Sequence, residues 1–491
     1  MRLTNHIFFK RIFLPALALS FNACDLLKPA QQPTMPIGRG TTQNPTSTGN
    51  PTATTSRTTP KNPTGRVDTV IWRDDKKAKP PIVTDGGKVI TTNPTNPTNT
   101  GSGTVVTAPT GTGGVKPTPS FPNEPTKELK TTYDLSIPLP FFRDKYNGVT
   151  GVNYDKSLFA LDFYAGVKLA LDSLSYSNIN LNVNIVDTKP DFASVLNQYE
   201  ISKTDVMLGP VEKDNLPAAI AFSNEKSKTV VSPYFPSLEL EGENPNFVQV
   251  KPSLKTHCEA ITKHTRARYK PELVTLLARQ QDGENARFKY FQDMNATISR
   301  NSTATKFKEA VVDEKAIDIS KLVSPTLTTV FVVPSWNEAF VNALLKKIDE
   351  HPNKKNIVVY GMPQWMDFMG MNDYFERLKV RVSSSTFVDV NRPEVRIFRQ
   401  RFVDKFGKMP NNDAYLGYDC ALYFGEAMKK YGSKFSYFLD REPRKLLHTK
   451  FLFEPVYRSV TTGTDDFGKV MKYENKYVNI LKYNGGFSLE E

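Results

Sequence analysis

From Tyr133 onward the chain alternates between two hydrophobic periods. "YDLSIPL" places apolar residues at every second position, as a half-buried strand does. After a loop, "LFALDFYAGVKLALDSL" spaces Phe159, Phe163, Val167, Ala170 and Leu174 as one face of a helix. "INLNVNIVDT" returns to period two at Leu181, Val183 and Ile185, and the helical "FASVLNQYE" follows. The cycle repeats through "DVMLGP", a helix near Leu216–Glu225, "TVVSPYFPS" and "NFVQVKPS". It starts again with a helix at Lys255–Arg268, then "ELVTLLA", "NARFKYFQDMNATI", "TTVFVVPSW", "NEAFVNALLKKIDEH" and "NIVVYGMPQW". Strands alternating with helices of this length predict an α/β protein with parallel sheets covered by helices on both faces. "KFLFEPVYRS" through "KYVNILKYNGG" predicts antiparallel strands at the end. Roughly 360 residues exceed one ordinary core, so two lobes are expected.

Residues 25 to about 130 carry neither period. They are Thr, Pro, Asn and Gly, with "NPT" recurring at Asn44, Asn50, Asn62, Asn93 and Asn96. Such a segment buries too little apolar surface to offset chain entropy and is expected to be a disordered tether. Its root-mean-square reach is about 55 Å at ~5–6 Å × √n. One island interrupts it, Arg66–Ile82, where Val70 and Trp72 alternate like a short strand. It reads either as a sticky patch of linker or as a linear motif that docks on a partner or on the body. Before the tether, Arg2, Lys10 and Arg11 precede the apolar run Ile12–Phe21. A basic start followed by a short apolar run reads as a secretory signal peptide over 1–23, and the run is too short to span a bilayer. Cys24, at the point where the run stops, resembles the lipidated cysteine of bacterial lipoproteins. That resemblance implies a mature chain beginning at an acylated Cys24, anchored in the cell envelope, with the tether length favouring the outer membrane over the inner.

Export changes how the charge is read. With 64 Lys and Arg against 51 Asp and Glu the net charge is +13. An exported chain seldom meets nucleic acid, so the basic stretch "NRPEVRIFRQRF" reads as a solvated helix face or as contact with anionic lipid, glycan phosphate or an acidic partner. Cys258 and Cys420 lie 162 positions apart and give no spacing signature for a disulfide. No G-x-S-x-G elbow, H-E-x-x-H helix or Walker loop occurs. His257 and His264 are seven apart on one helix, about 10 Å along its axis, too far for one metal, and His264 is expected on a solvated face. The expectation is no catalytic residue, no metal and no cofactor. In open α/β sheets ligands gather beyond the carboxyl ends of the strands. That rule nominates the loops Pro140–Phe142, Gly209–Lys213, Ser232–Ser237, Arg279–Asp282, Pro334–Trp336 and Gly361–Trp365.

Several of these phrases together resemble a family. "DFYAGVKLALDSL", "MLGPVEKDN", "VVSPYFPS", "FVQVKPS" and "VDVNRPEVRIFRQRFVDKFGKMPNNDAYLGYDCALYF" are similar to type I periplasmic binding proteins of the branched-chain amino-acid receptor kind. "FVVPSWNEAFVNALL", "VVYGMPQWMDF" and the "VDTVIW" island resemble a Bacteroidota branch in which such a domain follows a peptidoglycan-binding LysM module, although no LysM module is visible here. The resemblance runs from Tyr133 to the end. It implies two Rossmann-like lobes joined by three crossovers around a ligand cleft, with lobe one at about 131–250 and 388–442 and lobe two at about 251–387 and 443–491. In amino-acid receptors the loops after Gly-Pro and at Ser-Pro hold the ligand's backbone. Here Ser232 matches, whereas Tyr234, Phe235, Glu212 and Lys213 replace small hydroxyl residues, which implies a ligand other than a simple amino acid. The expected lining is Phe142, Ser232, Tyr234, Asp282, Ser335, Trp336 and Gln364. Two functions are implied: a lipid-anchored receptor whose cleft takes a small molecule, or the same fold reused as an interaction module for an envelope protein partner.

Overall fold

The computed structural model describes residues 69–71, 125–143, 152–189, 191–236, 240, 242–279, 284–300, 305–457 and 469–490. The expected signal peptide, Cys24, Asp282 and most of the tether lie outside the described residues.

Two sheets carry the body. The first holds β1 (Thr69–Ile71), β2 (Thr132–Leu139), β3 (Asn180–Asp187), β4 (Val206–Leu208), β5 (Thr229–Ser232) and β6 (Phe247–Gln249). The second begins with β7 (Val274–Arg279), β8 (Lys308–Val312), β9 (Thr329–Val332), β10 (Ile357–Gly361) and β11 (Arg381–Ser384). A two-stranded ladder, β12 (Arg444–Lys445) with β13 (Lys450–Phe451), precedes β14 (Phe453–Tyr457), β15 (Val470–Asn475), β16 (Asn479–Tyr483) and β17 (Phe487–Leu489). The strand orders are β1-β3-β2-β4-β5-β6-β15-β14 and β17-β16-β11-β10-β9-β7-β8. Pairs β2–β3, β2–β4, β4–β5 and β5–β6 are parallel, as are β7–β8, β7–β9, β9–β10 and β10–β11, which is the α/β architecture the alternating periods predict.

The chain passes between the sheets three times: after β6, after β11 and between β15 and β16. The last passage corrects the expected division at residue 443. β15 lies parallel to β6, with Tyr473 opposite Val248, and β14 pairs antiparallel with β15, so both belong to the first sheet. The Lys472 ammonium seals the register by donating to Gln249 Oε1 at 2.6 Å.

Helices connect the strands. In the first lobe they are α1 (Val152–Ser175), α2 (Phe192–Leu196), α3 (Tyr199–Ser202) and α4 (Leu216–Lys226). α5 (Leu254–Arg268), α6 (Asn285–Arg300), α7 (Glu338–Glu350) and α8 (Asn372–Leu378) serve the second sheet. α9 (Pro393–Phe406) and α10 (Asn412–Tyr431) return to the first. Strand alternation sorts two cores. Val206, Leu208, Val231 and Val248 join the core with α1 and α10, while Met207, Val230 and Phe247 face Phe192, Leu216 and Phe222 on the other side. Local signals set the helix starts: the side chains of Ser253, Asn337 and Asn411 accept from the backbone N–H of Thr256, Phe340 and Ala414. On α9, Arg396 is exposed as the expected solvated face requires, but Arg392 donates to the Leu446 carbonyl at 2.6 Å and Arg401 to Ser173 Oγ at 3.2 Å. Cys258 and Cys420 are free and buried in separate cores.

α1 and α10 meet backbone to backbone. A Cβ on Gly166 would lie 1.9 Å from the Ala414 carbonyl oxygen, and one on Gly417 would lie 2.0 Å from that of Phe163. Relief would require moving main chain, because the clashing atoms are not side-chain ends.

The tether island docks on the body. β1 runs antiparallel along β3, with Thr69 opposite Asn184, Val70 opposite Val183 and Ile71 opposite Asn182. Of the two readings of the island, the structure gives attachment to the body, at the edge of the first sheet.

Gly417→Ala is expected to lower stability by roughly 3 kcal/mol, seen as an earlier urea midpoint of the first unfolding transition. Replacing Thr69, Val70 and Ile71 together by Pro removes every main-chain donor β1 can offer β3. Amide hydrogen exchange across Asn182–Asn184 is then expected to accelerate about tenfold or more, with the global urea midpoint unchanged.

Candidate ligand-binding cleft

A cavity of about 530 Å³ lies between the lobes. That volume falls within the roughly 300–1,000 Å³ of small-molecule sites. The first lobe contributes Phe159, Pro233, Tyr234, Asp413 and Leu416, and the second contributes Pro363, Gln364, Met366 and Asp367. All three passages between the lobes supply its floor, through Lys251 and Pro252, Ser385 and Thr386, and Asn475.

Tyr234 forms one wall. Its ring sits edge-on to Phe159 at 5.9 Å and tilted to Phe163 at 5.8 Å. Its hydroxyl donates to Asp413 Oδ1 at 2.8 Å, joining a strand-end loop to the first turn of a helix 179 positions later. Burial and the neighbouring Asp413 carboxylate push the tyrosine hydroxyl well above its ordinary pKa. Burial also raises the Asp413 carboxyl, against the lowering effect of the Tyr234 hydrogen bond. Asn411 caps α10 and donates to Asp162 Oδ2 at 2.9 Å, which places Asp413 at the cleft wall.

Two histidines line the floor. The Asp419 carboxylate accepts from the backbone N–H of Leu447 at 3.0 Å, from that of His448 at 3.1 Å and from His448 Nδ1 at 2.5 Å. Because a carboxylate only accepts, Nδ1 carries the proton and Nε2 is the ring atom left to serve a ligand. His257 pairs its Nδ1 with Ser383 Oγ at 3.0 Å. Burial and the nearby Lys251 charge lower its pKa to about 4, against the opposing pull of Glu474, so it is neutral at pH 7. Glu474 accepts from Ser253 N at 2.8 Å and Thr256 Oγ1 at 2.7 Å, fixing the start of α5 to the first sheet.

The expected lining residues divide. Tyr234 and Gln364 line the cavity, and Gln364 Oε1 has no hydrogen-bond partner among the described residues. Ser232 is fully buried one residue before the lining, with its Oγ unpartnered. Phe142 stands aside, in a left-handed conformation (φ 56°) under the Lys189 ammonium at 5.4 Å, with the loop amides of Phe141, Phe142 and Arg143 gathered on Asp187. Ser335 and Trp336 are not in the lining. The Ser335 hydroxyl donates to Glu284, its carbonyl accepts from the Trp365 indole at 2.7 Å, and Arg287 stacks on Trp336 at 3.5 Å. His264, expected on a solvated face, instead meets Tyr360 Oη at 3.0 Å and lies 3.5 Å from Glu490. Sequence reasoning missed Lys251, Asp413, His257 and His448. Lys251 lies just beyond the end of β6, in a strand-end segment that is not among the nominated loops, and no local signal marks the others.

Among the described residues no group of His, Cys, Asp and Glu could hold a metal ion, and no helix is long and apolar enough to cross a membrane. No protein-family model and no curated protein matches the sequence. Solved structures do. A branched-chain amino acid ABC transporter protein from Rhodospirillum rubrum superposes with a TM-score of 0.52 at 13% identity, over 73% of this chain and 100% of that one. The fold is that of the type I periplasmic binding proteins. An ABC transporter substrate-binding protein from Desulfitobacterium hafniense in complex with Leu has a TM-score of 0.46 at 14% identity, over 73% of this chain and 100% of that one. LpoA from Haemophilus influenzae has a TM-score of 0.47 at 12% identity, over 74% of this chain and 60% of that one.

The depressed His257 pKa makes stability pH-dependent. Its folded value of about 4 lies below the unfolded 6.5, so the unfolded chain binds the extra proton first as pH falls. Stability from the neutral ring is present above pH 6.5 and is lost as pH drops toward 4, by about 2–3 kcal/mol for this residue. His257→Gln is expected to flatten that part of the urea-midpoint profile between pH 6.5 and 4.

Proposed function

We propose that this chain is a lipid-anchored envelope binding protein whose interlobe cleft closes on a small solute other than a simple amino acid, for delivery to a transporter or sensor. The observation that carries the reading is the cavity of about 530 Å³, walled by both lobes and floored by all three passages between them. A ligand there touches both lobes at once, so its binding energy favours the closed arrangement over the open one. Bulk and charge support a ligand other than an amino acid. Tyr234 fills the wall and is tied to Asp413, while Glu212 is engaged by Lys189 at 2.7 Å and by Thr188 Oγ1 at 2.7 Å. Acylated Cys24 and the Thr- and Pro-rich tether would hold the body at the membrane, on the periplasmic face of the outer membrane. Binding, with no chemical turnover, is the whole of this activity.

A second reading, the fold reused as an interaction module for an envelope protein, draws on one observation: the β3 edge takes the extended segment Thr69–Ile71. Strand addition to a sheet edge is a recurrent mode of peptide recognition, and a partner's strand would compete for the same edge.

Native mass spectrometry of the full chain, purified in detergent from its own host, tests both. The expected spectrum shows a chain beginning at an acylated Cys24 with a small molecule that leaves on mild denaturation. An empty cleft with a stoichiometric envelope protein bound would establish the second reading instead, and a chain retaining residues 1–23 would remove the lipid anchor.

A further inference from the structure

Among the charges that line the cleft is a lysine that the described residues do not neutralise at contact distance. Lys251 follows β6 on the first passage between lobes and lines the cavity. Its backbone is fixed: Gln249 Nε2 donates to the Lys251 carbonyl at 2.8 Å and to the Pro236 carbonyl at 3.0 Å, while Gln249 Oε1 takes the Lys472 ammonium. Its ammonium is left without a hydrogen bond or an ion pair within 4.0 Å among the described residues. Two carboxylates act on it from farther away, Asp413 from the first lobe and Asp367 from the second. Asp413 already accepts the Tyr234 hydroxyl. Burial lowers the lysine pKa, as expected for a cation partly removed from water without a close counter-ion. His257, which also lines the cavity, is neutral and offers no charge to answer it.

The rest of the cavity sets the body of the ligand. Phe159, Pro233, Pro236, Leu254, Met366 and Leu416 give it an apolar wall. Gln364 lines the cavity, and its Oε1, itself buried, has no hydrogen-bond partner among the described residues.

We propose that the ligand is an organic acid with an apolar body, whose carboxylate pairs with the Lys251 ammonium at the junction of the two lobes. The inference rests on the reading of the cleft as a solute site and names the class of solute. A free amino acid fits less well, because an α-ammonium beside the bound carboxylate would lie next to the Lys251 cation, and like charges at that separation repel strongly in a partly desolvated site. An acid whose neighbouring group is an amide N–H or a hydroxyl avoids that repulsion.

The test is a thermal-shift and calorimetric titration of the full chain with butanoate, hexanoate and phenylpropanoate, with their uncharged primary amides, and with phenylalanine. The acids are expected to bind at least about tenfold more tightly than the matching amides and than phenylalanine. Lys251→Met is expected to erase the preference for acid over amide, and Lys251→Arg to keep it. Circular dichroism melts of both variants establish that they are folded. Amides or phenylalanine binding as tightly as the acids, or a preference that survives in folded Lys251→Met, would overturn the inference while leaving the cleft a solute site. If no probe, charged or neutral, shifts the melting temperature or releases heat, the cleft is not a solute site, and this inference falls with the reading beneath it.

Discussion

The contact between α1 and α10 governs the geometry of the first lobe. Two glycines, Gly166 and Gly417, let main chain touch main chain at a place where any side chain would collide with a carbonyl oxygen. Close approach of this kind fixes the relative position of two helices more tightly than interdigitated side chains, because no rotamer can absorb an error. Its consequences reach the cleft. The N-terminal end of α10 carries Asp413 and Leu416 into the cavity wall, and α1 supplies Phe159 and Phe163, against which Tyr234 packs. Further along α10, Asp419 grips the loop that presents His448 and Thr449 to the cavity floor.

A second constraint lies where the lobes join, and it is polar. Glu474 on β15 holds the start of α5 through Ser253 and Thr256, and Lys476 sits 3.1 Å from the same carboxylate. Burial would raise the Glu474 pKa, but Lys476 and the hydrogen bonds from Thr256 and Ser253 outweigh it and hold the group below its ordinary value. Gln249 and Lys472 perform the matching task on β6 and β15. The first and third passages between lobes are therefore bound to each other, while the cavity opens above them. The hydrogen bonds and the ion pair at this junction tie the passages directly, independently of the side chains that line the cavity walls.

Fold class was legible because both hydrophobic periods are clean. Val206 and Leu208 face one core and Met207 the other, and the helical face of α1 from Phe163 to Leu174 is buried as its spacing requires. The assignment of the last strands was not legible, because 453–475 reads only as strand and its neighbour, β6, lies more than two hundred residues earlier. For the site, the strand-end rule nominates a lining of which Tyr234 and Gln364, both on loops that follow strands, face the cavity. It overshot at Ser335 and Trp336, since Arg287 and Glu284 approach that strand end from α6 and its leading turn and occupy those side chains. It passed over Asp413, whose hydrogen bond with Tyr234 spans 179 positions and has no local pattern. The island around Val70 was legible as a strand, but its partner on β3 was not, because an edge has no signature in the sequence of the segment that covers it.

If the cleft is the solute site proposed above, its selectivity follows from what is left unsatisfied as much as from what is present. A site discriminates by the difference between two affinities, and leaving a desolvated charge or acceptor unpaired penalises the wrong ligand. Lys251 and Gln364 are two such groups at different places in the lining, one a donor cation and the other an acceptor. A purely apolar solute could fill the volume between Phe159 and Met366, yet it would cover Lys251 and remove the water that stabilises its charge. A small inorganic anion could answer Lys251, yet it would leave the apolar wall exposed to water and Gln364 without a donor. Only a ligand carrying both kinds of surface, in the order the lining presents them, gains at the ammonium and at the wall together. Because Lys251 sits on a passage between the lobes while the apolar wall is shared by both, a ligand that pairs with the ammonium also reaches side chains of each lobe.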